Sequence, residues 1–354
     1  MAIPTEAIGS VPRPRYLIEA FAKRRANEIS QVEFDAACEQ ALSETIAELE
    51  ATGSPIITDG EQTKPSFATY PLEGLENLAP DGVRIVFADG HVRQLPRLTR
   101  GPFKYAVYAG EYVKRAKHHT GLPLKEAVIA PSALSLIYPA SGLEGYPREA
   151  FLADLTNEAE RDIRSCFEAG AETVQFDFTE GRLSLKLDPT GKLLQSFVDL
   201  INTVLDRFSP SEREKISVHT CPGGDRDSTH SADVDYADLL PMLFTIRAGA
   251  FMCELAGEKE PRRVLGIMRD YVHPDQRIFV GVINPIDPRI ETAAEVADRI
   301  SEAAKFIPIG RLGATDDCGF SPFGDDTSTA REIAFAKIRA RVEGVALASE
   351  RMGV

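Results

Sequence analysis

The chain has 354 residues, with 43% hydrophobic and 27% charged side chains and a formal net charge of -14, the balance of an ordinary globular protein. That charge argues against nucleic acid as a partner, because nothing offsets phosphate repulsion globally, yet it leaves room for a small anionic substrate at a local basic patch. No apolar run reaches membrane-crossing length, and the opening Met1-Ala2-Ile3-Pro4-Thr5-Glu6 lacks the charged-then-apolar form of a signal peptide, so no membrane contact and a cytoplasmic location are expected.

Short β-branched or apolar runs alternate with longer amphipathic ones along the chain. Eight runs predict strands, at 7–9, 55–58, 127–130, 173–178, 216–219, 250–255, 277–283 and 311–315. Helical patterns fall between them, at 31–52, 149–169, 191–207, 234–248, 260–271, 292–305 and 327–349. Asp188-Pro189-Thr190 signals one helix start and Ala169-Gly170 one helix end. Eight such units predict an α/β fold of the TIM (β/α)8 type, with an open doubly wound sheet as the competing architecture. Residues 1–354 then form one catalytic domain. Residues 83–98 interrupt the rhythm with two alternating arms around Asp89-Gly90, a β-hairpin signal. They lie in an insertion of about 66–122, after the second strand and over one barrel end. From Arg93 to Lys125 this region carries eight basic residues against Glu111 and no Asp. It reads either as a solvated face or as a lid that steers a polyanionic substrate.

Five cysteines, Cys38, Cys166, Cys221, Cys253 and Cys318, are too sparse for a disulfide framework. Cys38, Cys166 and Cys253 read as small buried hydrophobes. The other two sit where a barrel keeps its chemistry, at the C-terminal ends of strands. His219 and Cys221 end the fifth predicted strand and, two residues apart, share a face. Glu254 ends the sixth, inside an apolar run where an unpartnered charge is costly. Cys318 follows the eighth, beside Asp317 and Gly319. An imidazole, a carboxylate and two thiols converging on one rim form a zinc-type donor set.

His219-x-Cys221, Glu254 and Asp317-Cys318-Gly319 resemble the zinc ligands of the cobalamin-independent methionine synthase family. Ile8-Gly9-Ser10-Val11-Pro12 is similar to that family's Ile-Gly-Ser-Phe-Pro, Asp59-Gly60-Glu61 to its Gly-Glu, and Val174-Gln175-Phe176-Asp177 to its Ile-Gln-Ile-Asp. The resemblance is to the C-terminal catalytic barrel and to single-barrel relatives, which include core methionine synthases and epoxyalkane:coenzyme M transferases. It implies a Zn2+ ion that holds a substrate thiol as thiolate. Ser10 would meet the carboxylate of an amino-acid thiol, and Glu61 and Asp177 its ammonium. The activity implied is methyl transfer from a methyl-tetrahydrofolate-type donor to homocysteine. Alkylation of another thiol, in the manner of coenzyme M transferases, is the second reading. A zinc-free barrel like uroporphyrinogen decarboxylase is the third. The partners expected are a small thiol and an alkyl donor, with an oligomer allowed.

The sequence departs from the family in four places. Ile286 stands where the family carries a His, which leaves Asp287 as the expected proton carrier. No tryptophan is present, and Tyr138 stands about where the donor ring would stack. Phe178-Thr179-Glu180-Gly181 replaces Glu-Pro-Ala. The loop 222–230 is rich in Gly and Asp, with amides and Arg226 available to an anion.

Overall fold

In the computed structural model, which describes residues 2–354, six segments rich in β-branched and aromatic residues pair in parallel: β1 (Lys125–Ile129), β2 (Thr173–Asp177), β3 (Ile216–Thr220), β4 (Ala250–Cys253), β5 (Arg277–Ile283) and β6 (Leu312–Asp316). Every residue of β1, β3, β4 and β6 is buried, as expected of strands covered on both faces. Their order across the sheet is their order in sequence. A doubly wound sheet reverses direction at a switch point, and this one does not.

The two remaining barrel positions are irregular. Thr5 bridges Ala314 of β6, and Ile57 bridges Leu124 just before β1. Hydrogen bonds from Thr58 Oγ1 to Gly9 O (2.9 Å) and from Val11 N to Gly60 O (3.1 Å) tie these two segments to each other. The strands expected at 7–9 and 55–58 are thus isolated bridges and single hydrogen bonds rather than ladders. Pro4, Pro12 and Pro55 lack the N–H that a ladder needs.

Helices cover the outside of the sheet, and most begin and end within two or three residues of their predicted bounds, as with Gln31–Ala51, Arg148–Glu168 and Pro261–Tyr271. The helix expected over 234–248 ends earlier, as Tyr236–Leu243. Helices Arg15–Arg25, Gly110–Lys117 and Glu180–Leu187 were not foreseen from periodicity. No helix among the described residues is long and apolar enough to cross a membrane. The predicted hairpin forms as Arg84–Val86 against Val92–Gln94, with Gly90 at φ 91° in its turn.

Inside the barrel a small apolar plug of Ile8, Ala250, Met252 and Phe279 sits apart from the main core. A polar column runs past it toward the rim. Lys125 Nζ donates to Gln175 Oε1 (2.8 Å), and Gln175 Nε2 donates to Asp177 Oδ1 (2.6 Å). Alternate residues of one strand share a face, so Gln175 and Asp177 both point inward.

Buried ion pairs fix the loops around this frame. Lys337 Nζ meets Glu291 (2.8 Å) and the carbonyls of Arg289 (2.6 Å) and Asn284 (3.0 Å), pinning the loop after β5 to the helix Arg331–Met352. Both side chains of the pair are almost wholly buried. Replacing Glu291 with Ala would strand the ammonium. We expect a loss of about 3–5 kcal/mol in urea unfolding, and a loss below 1 kcal/mol would contradict the pinning role.

Candidate metal centre and substrate cavity

His219 lies on β3, opposite Asp177 of β2 and Met252 of β4. Its Nδ1 is 3.3 Å from the Met252 carbonyl. A carbonyl only accepts, so Nδ1 carries the proton and Nε2 is left as a lone-pair donor. Nε2 is buried and has no hydrogen-bond partner. Cys221, one residue past β3, brings Sγ to 3.1 Å from Cys318 Sγ, too far for a disulfide. Donor atoms of His219, Cys221 and Cys318 all lie within 4.8 Å of one another. The hydrogen bond from Cys221 holds the Cys318 thiol well below its usual range, against the opposing effect of burial. Cys221 is held correspondingly high, so the pair favours one thiolate.

Asp317 ties this cluster to the next strand end. Its Oδ1 accepts from the amides of Leu255 and Ala256 (both 2.9 Å), and its Oδ2 from Gly257 (2.6 Å). The loop carrying Glu254 is therefore hung on the residue before Cys318. A Cβ on Gly281 would fall 1.9 Å from Asp317 Oδ1, so only glycine leaves room for this carboxylate. A Cβ on Gly319 would lie 2.2 Å from Ser10 Oγ and turn that hydroxyl away, so glycine here keeps Ser10 in its observed orientation.

Glu254 is buried beside the cluster without joining it. Its carboxylate faces Arg182, 3.7 Å away, and Oε2 has no hydrogen-bond partner. Arg182 is itself nearly fully buried, contacts Glu258, and lies over the Tyr236 ring at 4.0 Å. Nothing in the sequence marked this arginine, since on a short helix it looks like any solvated one.

A cavity of about 440 Å³ opens beside His219 and Cys318 and runs past Ser10, Glu61 and Asp177 to the hairpin. Ser10 Oγ accepts from Ser321 N at 3.2 Å. Glu61 sits at φ 53°, a left-handed conformation costly for a non-glycine residue, and its Oε2 is buried without a partner. Burial pushes Glu61 up to about 8, against the pull of Lys64 at 3.9 Å, with Asp177 and Asp59 adding to the rise. Lys64 is mainly engaged by Glu126 at 2.5 Å. Asp177 is also raised by burial. Two acids thus face one cavity short of positive charge.

Tyr138 and Asp287 are not brought to this cavity. The Tyr138 hydroxyl donates to Tyr146 O (2.7 Å), and its ring stacks on Phe151. Asp287 is partly exposed and accepts from Arg289 N (2.9 Å). The basic excess of the insertion is largely neutralised in place, with Arg97 on Asp81, Lys114 on Glu111 and Arg115 on Glu39. Arg93 reaches buried Asp225 (2.5 Å) and Asp325 (2.9 Å) and lies over Phe323. His91 adds a contact to Asp225 (3.0 Å). The loop 222–230 therefore serves as the seat of the hairpin, and Arg226 is taken up by Asp325 (3.0 Å). Gly223, at φ 71°, lets this loop pass close to His230.

Residues 3–339 match the family described as cobalamin-independent synthase, catalytic domain. A methionine synthase of Pyrococcus abyssi is 22% identical over 351 residues, covering 99% of this chain and 94% of that one. A 5-methyltetrahydropteroyltriglutamate–homocysteine methyltransferase of Nitrosomonas europaea is 23% identical over 321 residues, but the match spans only 40% of its length. The B12-independent methionine synthase of Shewanella sp. W3-18-1, solved in complex with selenomethionine, superposes with a TM-score of 0.78 at 20% identity over 99% of both chains. That likeness places this chain in the same barrel fold.

Proposed function

The chain belongs to the cobalamin-independent synthase family, and on that premise we propose that it methylates the sulfur of homocysteine, giving methionine, at a zinc site built from His219, Cys221 and Cys318 with Glu254 as the fourth donor. The donor set suits zinc: a buried imidazole nitrogen without a partner, two thiols that already favour one thiolate, and a buried carboxylate oxygen without a hydrogen bond. Zinc bound there would keep a substrate thiol deprotonated at neutral pH and hold it in place.

The observation that carries the choice of thiol is the pair Glu61 and Asp177. Both are buried acids raised by desolvation and both line the cavity that reaches Cys318. An α-ammonium would supply the cation they lack, and Ser10, which lines the same cavity, would meet the α-carboxylate. The sulfonate of a coenzyme M-type thiol brings a second anion instead, which disfavours the alternative reading. Arg182 gives Glu254 a counter-charge when that carboxylate is not on the metal. The apolar cavity wall, with Phe67, Phe87 and Phe323, accommodates a flat heterocyclic methyl donor of the methyl-tetrahydrofolate type.

Replacing Cys318 with Ser removes the better thiolate of the pair. Metal analysis should show loss of stoichiometric zinc, and thiol methylation should fall by at least about a hundredfold. A serine variant that keeps both the metal and full activity would disprove this site. A second expectation concerns proton linkage. Glu61 must ionise to bind the ammonium. Its free value is raised, so binding releases a proton and affinity grows as pH rises toward 8. Methionine, which has no thiol to titrate, should bind up to about tenfold tighter per pH unit between 6 and 8. Calorimetry in buffers of different ionisation enthalpy measures that proton directly, and no proton release would rule Glu61 out as the partner of the ammonium.

A further inference from the structure

Three acids line the cavity beyond the thiol end, but Glu73 is exposed and Asp325 is paired with Arg93 and Arg226, which leaves Glu180. Glu180 opens the helix Glu180–Leu187 and lines the same space as Asp177, His219 and Cys318. The Phe178 amide donates to the His219 carbonyl at 2.9 Å, so the chain is clamped to the metal-ligand strand two residues before Glu180. That span is at most about 7 Å of backbone. Ser132, in the first turn after β1, donates to Glu180 Oε1, while Oε2 is buried with no hydrogen-bond partner among the described residues. Burial pushes this carboxyl up to about 8, against the Ser132 bond. At neutral pH it is therefore mostly a neutral acid. With Oε1 already accepting from Ser132, the proton sits on Oε2.

A methyl group carried on a tertiary amine leaves its nitrogen holding the C–N bonding pair, and that nitrogen needs a proton. We infer that Glu180 is the general acid that protonates the leaving nitrogen of the methyl donor. As the thiolate sulfur bonds to the methyl carbon, the C–N bond breaks, its electron pair stays on nitrogen, and the Oε2 proton moves to that nitrogen. The products are a neutral thioether, a neutral secondary amine and the Glu180 carboxylate, which regains a proton from water once they depart. This inference rests on the methyl-transfer reading. It fills a role that Ile286 has no group for and that Asp287, bound to Arg289 away from the cavity, is not placed to take.

The test compares two donors with homocysteine as acceptor on the zinc-loaded protein. One is an N-methyl tetrahydropterin. The other is an S-methyl sulfonium, whose thioether leaves neutral and needs no proton. Glu180→Gln keeps the shape and the Ser132 contact but gives up no proton. Turnover of the variant should fall by about 10²–10⁴-fold with the N-methyl donor and by less than about threefold with the sulfonium, with methionine affinity unchanged. Equal losses with both donors, or none with the N-methyl donor, would overturn the assignment. If the native protein uses the sulfonium alone, methyl transfer stands and the acid role falls. If it uses neither donor, the methyl-transfer reading falls and this inference with it. Should the Gln variant fail to fold, the native protein decides. A normal solvent isotope effect on single turnover with the N-methyl donor supports Glu180 as acid, and its absence overturns that role.

Discussion

Too much latent negative charge is buried at one rim of this barrel. Cys221, Cys318, Glu254, Glu61 and Asp177 are brought together there with His219, and desolvation raises all three carboxyls. Burying even one uncompensated ion costs several kcal/mol. The chain supplies some relief through Arg182 and Lys64, but Lys64 is largely claimed by Glu126. The remaining deficit falls in two places. One is at the His219–Cys221–Cys318 cluster, where a divalent metal fits. The other is between Glu61 and Asp177, where an ammonium fits. The proposed cofactor and the proposed substrate thus answer one electrostatic requirement.

The same rim shows how a barrel with loose closing segments still holds a site in place. Asp317 gathers three amides from the loop after β4, and the glycines at 281 and 319 keep space around it and around Ser10. Lys337 and Glu291 lock the loop after β5. On the far side, Asp225 takes Arg93 and His91 from the hairpin, so the hairpin is fastened to the loop that follows Cys221. The His219–Cys221–Cys318 cluster, the loops beside it and the hairpin are therefore mechanically joined, although they come from segments far apart in sequence.

Much of this frame was legible in the sequence. The six paired strands announce themselves as buried β-branched runs, and Asp-Gly between alternating arms marks the hairpin. The first two barrel positions were legible as apolar runs, but their prolines prevent regular pairing. At the site, sparse cysteines at strand ends revealed the cluster, because few other roles suit them there. Tyr138 and Asp287 were misplaced because both lie in loops, where no periodicity fixes the direction of a side chain. Arg182 escaped notice because its burial is a tertiary fact, set by Tyr236 and two glutamates that arrive from later in the chain.

The central claim is that the rim acids select a thiol bearing an ammonium. Thermal denaturation of the zinc-loaded protein with homocysteine and, separately, with coenzyme M tests it most directly. The account predicts that homocysteine raises the melting temperature with increasing concentration, as a ligand bound only to the folded state must, and that coenzyme M raises it far less. Equal or greater stabilisation by coenzyme M would contradict it.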